Sequence, residues 1–317
     1  MAKILINDGM HADGIELLKQ AGHEVQTDKI AQDELPAKLP NFDVIVVRSA
    51  TKVRKDLIDQ CPNLKIVARG GVGLDNIDVD YAKGKDIQVM NTPAASSASV
   101  GELAFAHFFT LARSVHMANR EMPAQGNTDF KKLKKSYSAG GTELAGKTLG
   151  IIGIGRIGQQ TARIGLSLGM NVLPVDLYIK EVKIDINIPG AENTVSVKLP
   201  SVAMDEMLAK ADFIALHVPS TGKPSIGAEK KKKMKDGVFI VNPARGGTID
   251  EDALLEALNS GKVGGAGLDV FVNEPTPRED LLNHAKISLT PHIGGSTKEA
   301  QRNIGLELGE KINAFFG

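Results

Sequence analysis

Twice along this chain, short apolar runs rich in β-branched residues alternate with helix-like stretches, and few folds accommodate that order. The first series covers Lys3–Asp8, Glu24–Asp28, Asp43–Ser49, Lys65–Arg69 and Gln88–Thr92, with helices expected over Ala12–Ala21 and Lys55–Gln60. The pattern restarts at Thr148–Ile152 and continues through Asn171–Asp176, Asp212–Val218, Val238–Val241, Gly265–Val270 and Lys286–Thr290. Runs this continuously apolar suit strands of a parallel sheet whose two faces are both covered by helices. An α/β fold with doubly wound parallel sheets is expected. The 317 residues are enough for one large or two medium domains.

Two long helices are expected. One starts near Ser97 and runs to about Met117, apolar on nearly every side through Val100, Leu103, Ala104, Phe105, Phe108, Phe109, Leu111 and Val115. A helix of that kind is buried in its own domain or against a second subunit. The other starts near Ser296-Thr297-Lys298-Glu299 and runs towards Phe315. Between Val182 and Leu199, apolar residues alternate with polar ones on either side of Pro189-Gly190-Ala191-Glu192-Asn193, which reads as a β-hairpin.

The second series begins with Gly153-Ile154-Gly155-Arg156-Ile157-Gly158, placed directly after the apolar run Leu149–Ile152 and before a helical pattern. In such a loop the first glycine makes the turn, the second lets backbone approach a pyrophosphate, and the third lets helix and strand pack closely. The helix start adds unpaired N–H groups and a positive dipole end. Asp176 ends the next strand, near the spacing of a carboxylate that binds ribose hydroxyls and repels a 2′-phosphate, and Leu177-Tyr178 supplies no arginine. The expected cofactor is NAD. Because the motif lies past residue 145, another domain must precede it.

Composition excludes other classes. Lys+Arg and Asp+Glu are equal at 38 each, so no net charge draws the chain to nucleic acid. The run Lys230–Lys233 has no interleaved aromatic residues and reads as a solvated face. Cys61 is the one cysteine, which rules out an internal disulfide and a cysteine metal cluster. The N-terminus lacks a signal-peptide pattern, and no stretch approaches the roughly 18 apolar residues of a membrane span, so a cytoplasmic protein without membrane or metal is expected.

Strand ends in the last third carry an arginine (Asn242-Pro243-Ala244-Arg245-Gly246), an acid (Asp269-Val270-Phe271-Val272-Asn273-Glu274-Pro275) and a histidine (Pro291-His292-Ile293-Gly294). Oxidising an alcohol with NAD requires a proton acceptor and a cation for the substrate carboxylate. In order and spacing these motifs resemble those of the D-isomer-specific 2-hydroxyacid dehydrogenases. Further segments share the resemblance: Val47–Val53, Gly71–Asp78, Asn91-Thr92-Pro93 with Glu102-Leu103, and His292–Glu299. It implies that His292 is the general acid/base, Glu274 its partner, and Arg245 the group that binds carboxylate and polarises the reacting oxygen. It further implies a cofactor site lined by Gly153, Gly155, Arg156, Ile157, Gly158, Asp176, Val218, Pro243, Ala244, Asp269, Gly294 and Val72, with Asp269 near the nicotinamide. Backbone N–H groups of Gly71, Val72 and Gly73 would hold the substrate carboxylate, with Arg48 and Arg69 as further substrate cations. His107, His116 and His217 lie outside these motifs and read as structural.

The family fold implies two Rossmann-like domains: a discontinuous, flavodoxin-like substrate domain (1–98 plus 291–317) and an NAD-binding domain (99–290). The chain would cross between them near Pro93–Ser99 and Thr290–Gly295, leaving His292 at a hinge. The resemblance also implies a homodimer through the NAD domain, with the helix near Ser97–Met117 at the interface; the basic stretch Lys131–Lys135 is a candidate to reach substrate from a partner subunit. Within the family it is strongest to members that oxidise D-3-phosphoglycerate, so a phosphorylated 2-hydroxy acid is the expected substrate. Reduction of hydroxypyruvate or glyoxylate, and a non-enzymatic NAD-sensing corepressor role, stay open as alternatives. Ser96-Ser97 stands where relatives usually carry Asn-Ser, which removes one expected polar contact to substrate. The sequence stops at Gly317, short of the serine-sensing domain of many relatives, so inhibition by serine is not expected.

Overall fold

The computed structural model describes residues 1–138 and 140–317, which divide into two compact units. The first is Met1–Ser99 with Gly295–Gly317; the second is Val100–Gly294. The expected division put 291–294 with the first unit. They belong to the second because Asp269, in that unit, accepts the N–H groups of Ile293 and Gly294, each at 2.8 Å.

The first unit is built on five parallel strands: β1 (Lys3–Ile6), β2 (Glu24–Gln26), β3 (Val44–Val47), β4 (Ile66–Arg69) and β5 (Gln88–Asn91), ordered β2-β1-β3-β4-β5. That is the flavodoxin order, with its switch point between β1 and β3, where loops after the strands leave in opposite directions. All four residues of β3 are buried, as a central strand between two helical layers requires. On one face Ile4, Ile6, Val44, Val46, Ile66 and Ala68 pack with Leu308 and Ile312 of the helix Lys298–Phe316. This helix starts as expected, with the Thr297 hydroxyl capping the Ala300 N–H. Gly305 and Gly309 let it lie close on the helix Ala12–Gln20: a Cβ at Gly309 would stand 2.9 Å from Leu17.

The second unit holds a six-stranded sheet: β6 (Thr148–Ile152), β7 (Asn171–Val175), β10 (Phe213–Leu216), β11 (Val238–Asn242), β12 (Val263–Leu268) and β13 (Ile287–Leu289). They are ordered β13-β12-β11-β10-β6-β7, every pairing parallel. Its switch point lies between β6 and β10, where the glycine loop emerges. Between β7 and β10 comes an antiparallel hairpin of β8 (Glu181–Ile186) and β9 (Val195–Pro200), paired from Glu181↔Pro200 to Ile186↔Val195. Alternation predicts it because Val182, Ile184 and Leu199 face the core beside Phe105 and Val172.

One expected element differs. The helix from Ser97 ends at Ala112, and a separate helix runs from Val115 to Gln125. Ser114 adopts a left-handed backbone (φ 50°), which an α-helix cannot contain. The lysine run sits on a short helix, Ala228–Lys232, and the ammonium groups of Lys231, Lys232 and Lys233 pair with Glu256, Glu229 and Asp205. Among the described residues no helix is long and apolar enough to cross a membrane.

Candidate active site

The glycine loop fits a dinucleotide in its own geometry. Gly153 has φ 93°, and a Cβ there would lie 2.7 Å from the His217 carbonyl and 2.8 Å from Val218, so only glycine can make this turn against the end of β10. A Cβ at Gly158 would collide with the Gly153 carbonyl, so the helix Arg156–Ser167 starts tight against the loop. A Cβ at Gly155 would meet nothing within 4 Å, which leaves the helix start open to an incoming phosphate. Arg156 and Ile157 form the first turn of that helix, and no side chain caps it.

Asp176 follows β7 and closes on the same loop. Its Oδ2 accepts the Ile154 N–H at 3.0 Å, and Oδ1 accepts those of Tyr178 and Ile179 at 2.9 and 3.1 Å. Partial burial would raise its pKa, but these three donors and the charge of Lys180 outweigh it and hold the carboxyl below its ordinary value. The group is an anion that sets the loop's backbone.

The three strand-end residues are all in the second unit. Glu274 and His292 meet: Oε2 lies 2.7 Å from Nδ1, while Oε1 accepts the Phe271 N–H at 2.9 Å. A carboxylate only accepts, so Nδ1 carries the hydrogen of this bond. His292 is exposed and has a left-handed backbone (φ 55°), rare for a residue with a Cβ. Arg245 follows β11 in a loop tied by Asn242, whose Oδ1 accepts the Ala244 N–H and whose Nδ2 donates to the Arg245 carbonyl. Thr248 donates its hydroxyl to that same carbonyl at 2.7 Å. Pro243 is buried beneath Ala244 and Arg245, which are half-buried. A Cβ at Gly246 would strike the Phe271 carbonyl, so the arginine loop and the Glu274 loop touch through backbone.

Asp269 is 1% exposed and serves the histidine loop. Oδ1 accepts from the Thr290 hydroxyl (2.7 Å) and the Ile293 N–H, and Oδ2 from the Gly294 N–H. A carboxylate offers about four acceptor positions, and three are taken here by this loop. Gly294 is buried against it; a Cβ there would stand 3.0 Å from Oδ2.

Arg48, Arg69 and Gly71–Gly73 lie in the first unit: Arg48 just after β3, Arg69 at the end of β4 and residues 71–73 in the loop beyond it. The Arg69 guanidinium rests over Gly71, where a Cβ would be 2.5 Å from a terminal nitrogen, and the Arg48 stem lies beside Gly70. In this structure the Gly71 N–H is donated to the Thr92 hydroxyl at 2.9 Å. Sequence reasoning also passed over what holds Arg48. Asp8 Oδ2 accepts the N–H groups of Arg48 and Thr51, Oδ1 accepts the Thr51 hydroxyl, and Asn76 donates to both the Arg48 and Thr51 carbonyls. A polar Asn7-Asp8 pair at the end of an apolar strand was the available signal. Lys131–Lys135 lie on the helix Phe130–Ser138, with only Leu133 of that helix buried.

Comparison with known proteins fits this geometry. Residues 105–294 match the family model described as D-isomer specific 2-hydroxyacid dehydrogenase, NAD binding domain. A hydroxypyruvate reductase of Thermotoga maritima is 45% identical over 98% of this chain and 97% of its own length. A D-3-phosphoglycerate dehydrogenase of Methanocaldococcus jannaschii is 42% identical over 98% of this chain but only 57% of its own. The chain thus spans little more than half the length of such relatives. Among solved structures, a D-lactate dehydrogenase from Aquifex aeolicus complexed with NAD and lactic acid superposes with a TM-score of 0.76 at 31% identity, covering 99% and 95% of the two chains. The glycine loop, Asp176 and the ends of β11, β12 and β13 are accordingly the parts of an NAD-dependent oxidoreductase, and the chain belongs to the D-isomer-specific 2-hydroxyacid dehydrogenase family.

Proposed function

We propose that the chain oxidises D-3-phosphoglycerate to 3-phosphohydroxypyruvate, the step that opens phosphorylated serine synthesis. The observation that carries this reading is that two arginine side chains border Gly70-Gly71 in the first unit, Arg69 with its guanidinium over Gly71 and Arg48 with its stem beside Gly70. A simple 2-hydroxy acid has one anionic group, whereas a phosphorylated one brings a second that calls for a further cation.

In this reaction the substrate loses its hydroxyl proton and, from the same carbon, a hydride that carries two electrons. Nicotinamide, when bound on the glycine loop, supplies the two-electron acceptor. His292 takes the hydroxyl proton at Nε2, and Glu274, 2.7 Å from Nδ1, steadies the imidazolium that forms. Arg245 engages the carboxylate and polarises the oxygen that becomes a ketone, using a planar fork that lysine lacks. Asp269 keeps the 290–294 loop in place, and Asp176 and the Gly153–Gly158 loop hold the dinucleotide. Two copies associate through the helical face of the second unit, where Phe109, Val115 and Phe130 are 46%, 51% and 56% exposed.

Reduction of hydroxypyruvate is the second reading, favoured by the Thermotoga maritima relative that matches along nearly its whole length. Absorbance of NADH with a panel of acids separates the two. The expected outcome is kcat/KM for 3-phosphoglycerate at least tenfold above that for D-glycerate and D-lactate. Faster turnover of hydroxypyruvate with NADH, and none of 3-phosphoglycerate, would replace the first reading with the second. No turnover of any acid would sink both.

A further inference from the structure

The helix Ser97–Ala112 buries a histidine that the catalytic motifs do not include. His107 is 2% exposed, and its ring bridges two hydroxyls of the segment leading to His292: Nδ1 lies 2.9 Å from Ser288 Oγ and Nε2 lies 3.0 Å from Thr290 Oγ1. Its space is provided by Gly267 on β12, where a Cβ would come within 2.7 Å of the His107 Cβ. Glycine at 267 and an imidazole at 107 thus fit one another in the strand next to β13.

The direction of every hydrogen bond in this chain can be assigned. The Asp269 carboxylate accepts only, so the Thr290 hydroxyl gives its hydrogen to Asp269 Oδ1 at 2.7 Å. The Thr290 oxygen is then an acceptor, and His107 Nε2 must carry the donated hydrogen. Burial pushes the His107 pKa down to about 4, against the opposing pull of the Asp269 charge, so the ring is neutral at ordinary pH and its Nδ1 accepts from Ser288. Beyond Thr290, Asp269 takes the N–H groups of Ile293 and Gly294, which follow directly on His292 and its left-handed backbone.

We infer that His107 is a positioning residue: its Nε2–H fixes the Thr290 hydroxyl on Asp269, and Asp269 in turn holds the loop that presents His292. This rests on the reading of His292 as the general base given above. A histidine that merely filled the core would be replaceable by an apolar residue of similar size. A positioning residue would not.

Four variants and two readouts test it. In the cofactor-free protein, hydrogen exchange at the Ile293 and Gly294 amides reports how firmly the loop is held; in the assayed enzyme, kcat and the KM for NAD are separated. His107→Leu and Thr290→Val are expected to speed that exchange about tenfold or more and to lower kcat about tenfold, with the KM for NAD nearly unchanged. His107→Gln, which can still donate to Thr290, is expected to recover most of both. If His107→Leu does not fold, the nearly isosteric Thr290→Val decides by the same measurements. Wild-type exchange and kcat in both His107→Leu and Thr290→Val would overturn the inference, as would a Gln variant no better than Leu. His292→Ala separates the two claims: normal turnover in it would remove the base assignment, while amide exchange would still judge the role of His107 in holding the loop.

Discussion

At the scale of single residues, the proposed reaction groups could be singled out from the motifs in which each stands. His292 after a strand and before Gly294-Gly295, Glu274 before Pro275 and Arg245 before Gly246-Gly247 needed no tertiary information to be singled out. The supports of these groups were not legible, because their partners are far along the chain. His107 meets Ser288 and Thr290 across more than 180 positions, and Thr92 takes the Gly71 amide across 21. No periodicity encodes such a pair. Asp176 illustrates a residue with two duties in the proposed function, since its carboxylate holds the Ile154 N–H of the glycine loop and would also meet the ribose. Asp176→Ala is therefore expected to weaken NAD binding roughly tenfold, the scale of a lost charge-assisted bond, and to narrow the preference for NAD over NADP. Titration calorimetry with both dinucleotides checks this; unchanged affinity for each would assign discrimination to another group.

At the scale of elements, strand positions followed from apolar runs to within a residue or two, and the hairpin β8–β9 from alternation alone. The helix expected to reach Met117 breaks at Ser114, and the break was not legible because neither glycine nor proline marks the site. Two elements carry a pH dependence. His107 on the Ser97–Ala112 helix and His217 just after β10 are held neutral by burial, with pKa values pushed down to about 4 and about 3. In the unfolded chain both titrate near 6.5, so between pH 6.5 and 4 the unfolded state binds more protons. Stability is complete above pH 6.5 and falls as pH drops, approaching about 1.4 kcal/mol per pH unit for each histidine. Urea midpoints between pH 7 and pH 4.5 should decline accordingly, and His107→Gln should remove one share of the slope. A flat profile would mean that these rings are hydrated.

At the scale of the whole molecule, the sequence indicated two α/β units, because a glycine loop past residue 145 leaves a full domain before it. The exact boundary could not be read, since Asp269 draws 291–294 to the second unit through bonds that span 24 and 25 residues. The proposed dimer is tested at this scale. Sedimentation is expected to give twice the 33.7 kDa of the chain, and Phe109→Glu with Val115→Glu to return it to one. A wild-type protein that sediments as a monomer at micromolar concentration would refute the association. The composite first unit also bears on how the protein is made. Residues 100–294 are contiguous and can close as soon as they leave the ribosome, since domains fold as units during synthesis. The earlier strands must wait. Ile4, Ile6, Val44 and Val46 have only the part of their cover that Leu18 and its helix supply until Leu308 and Ile312 emerge, so for most of its translation the nascent chain carries a half-open apolar sheet face that a chaperone would be drawn to.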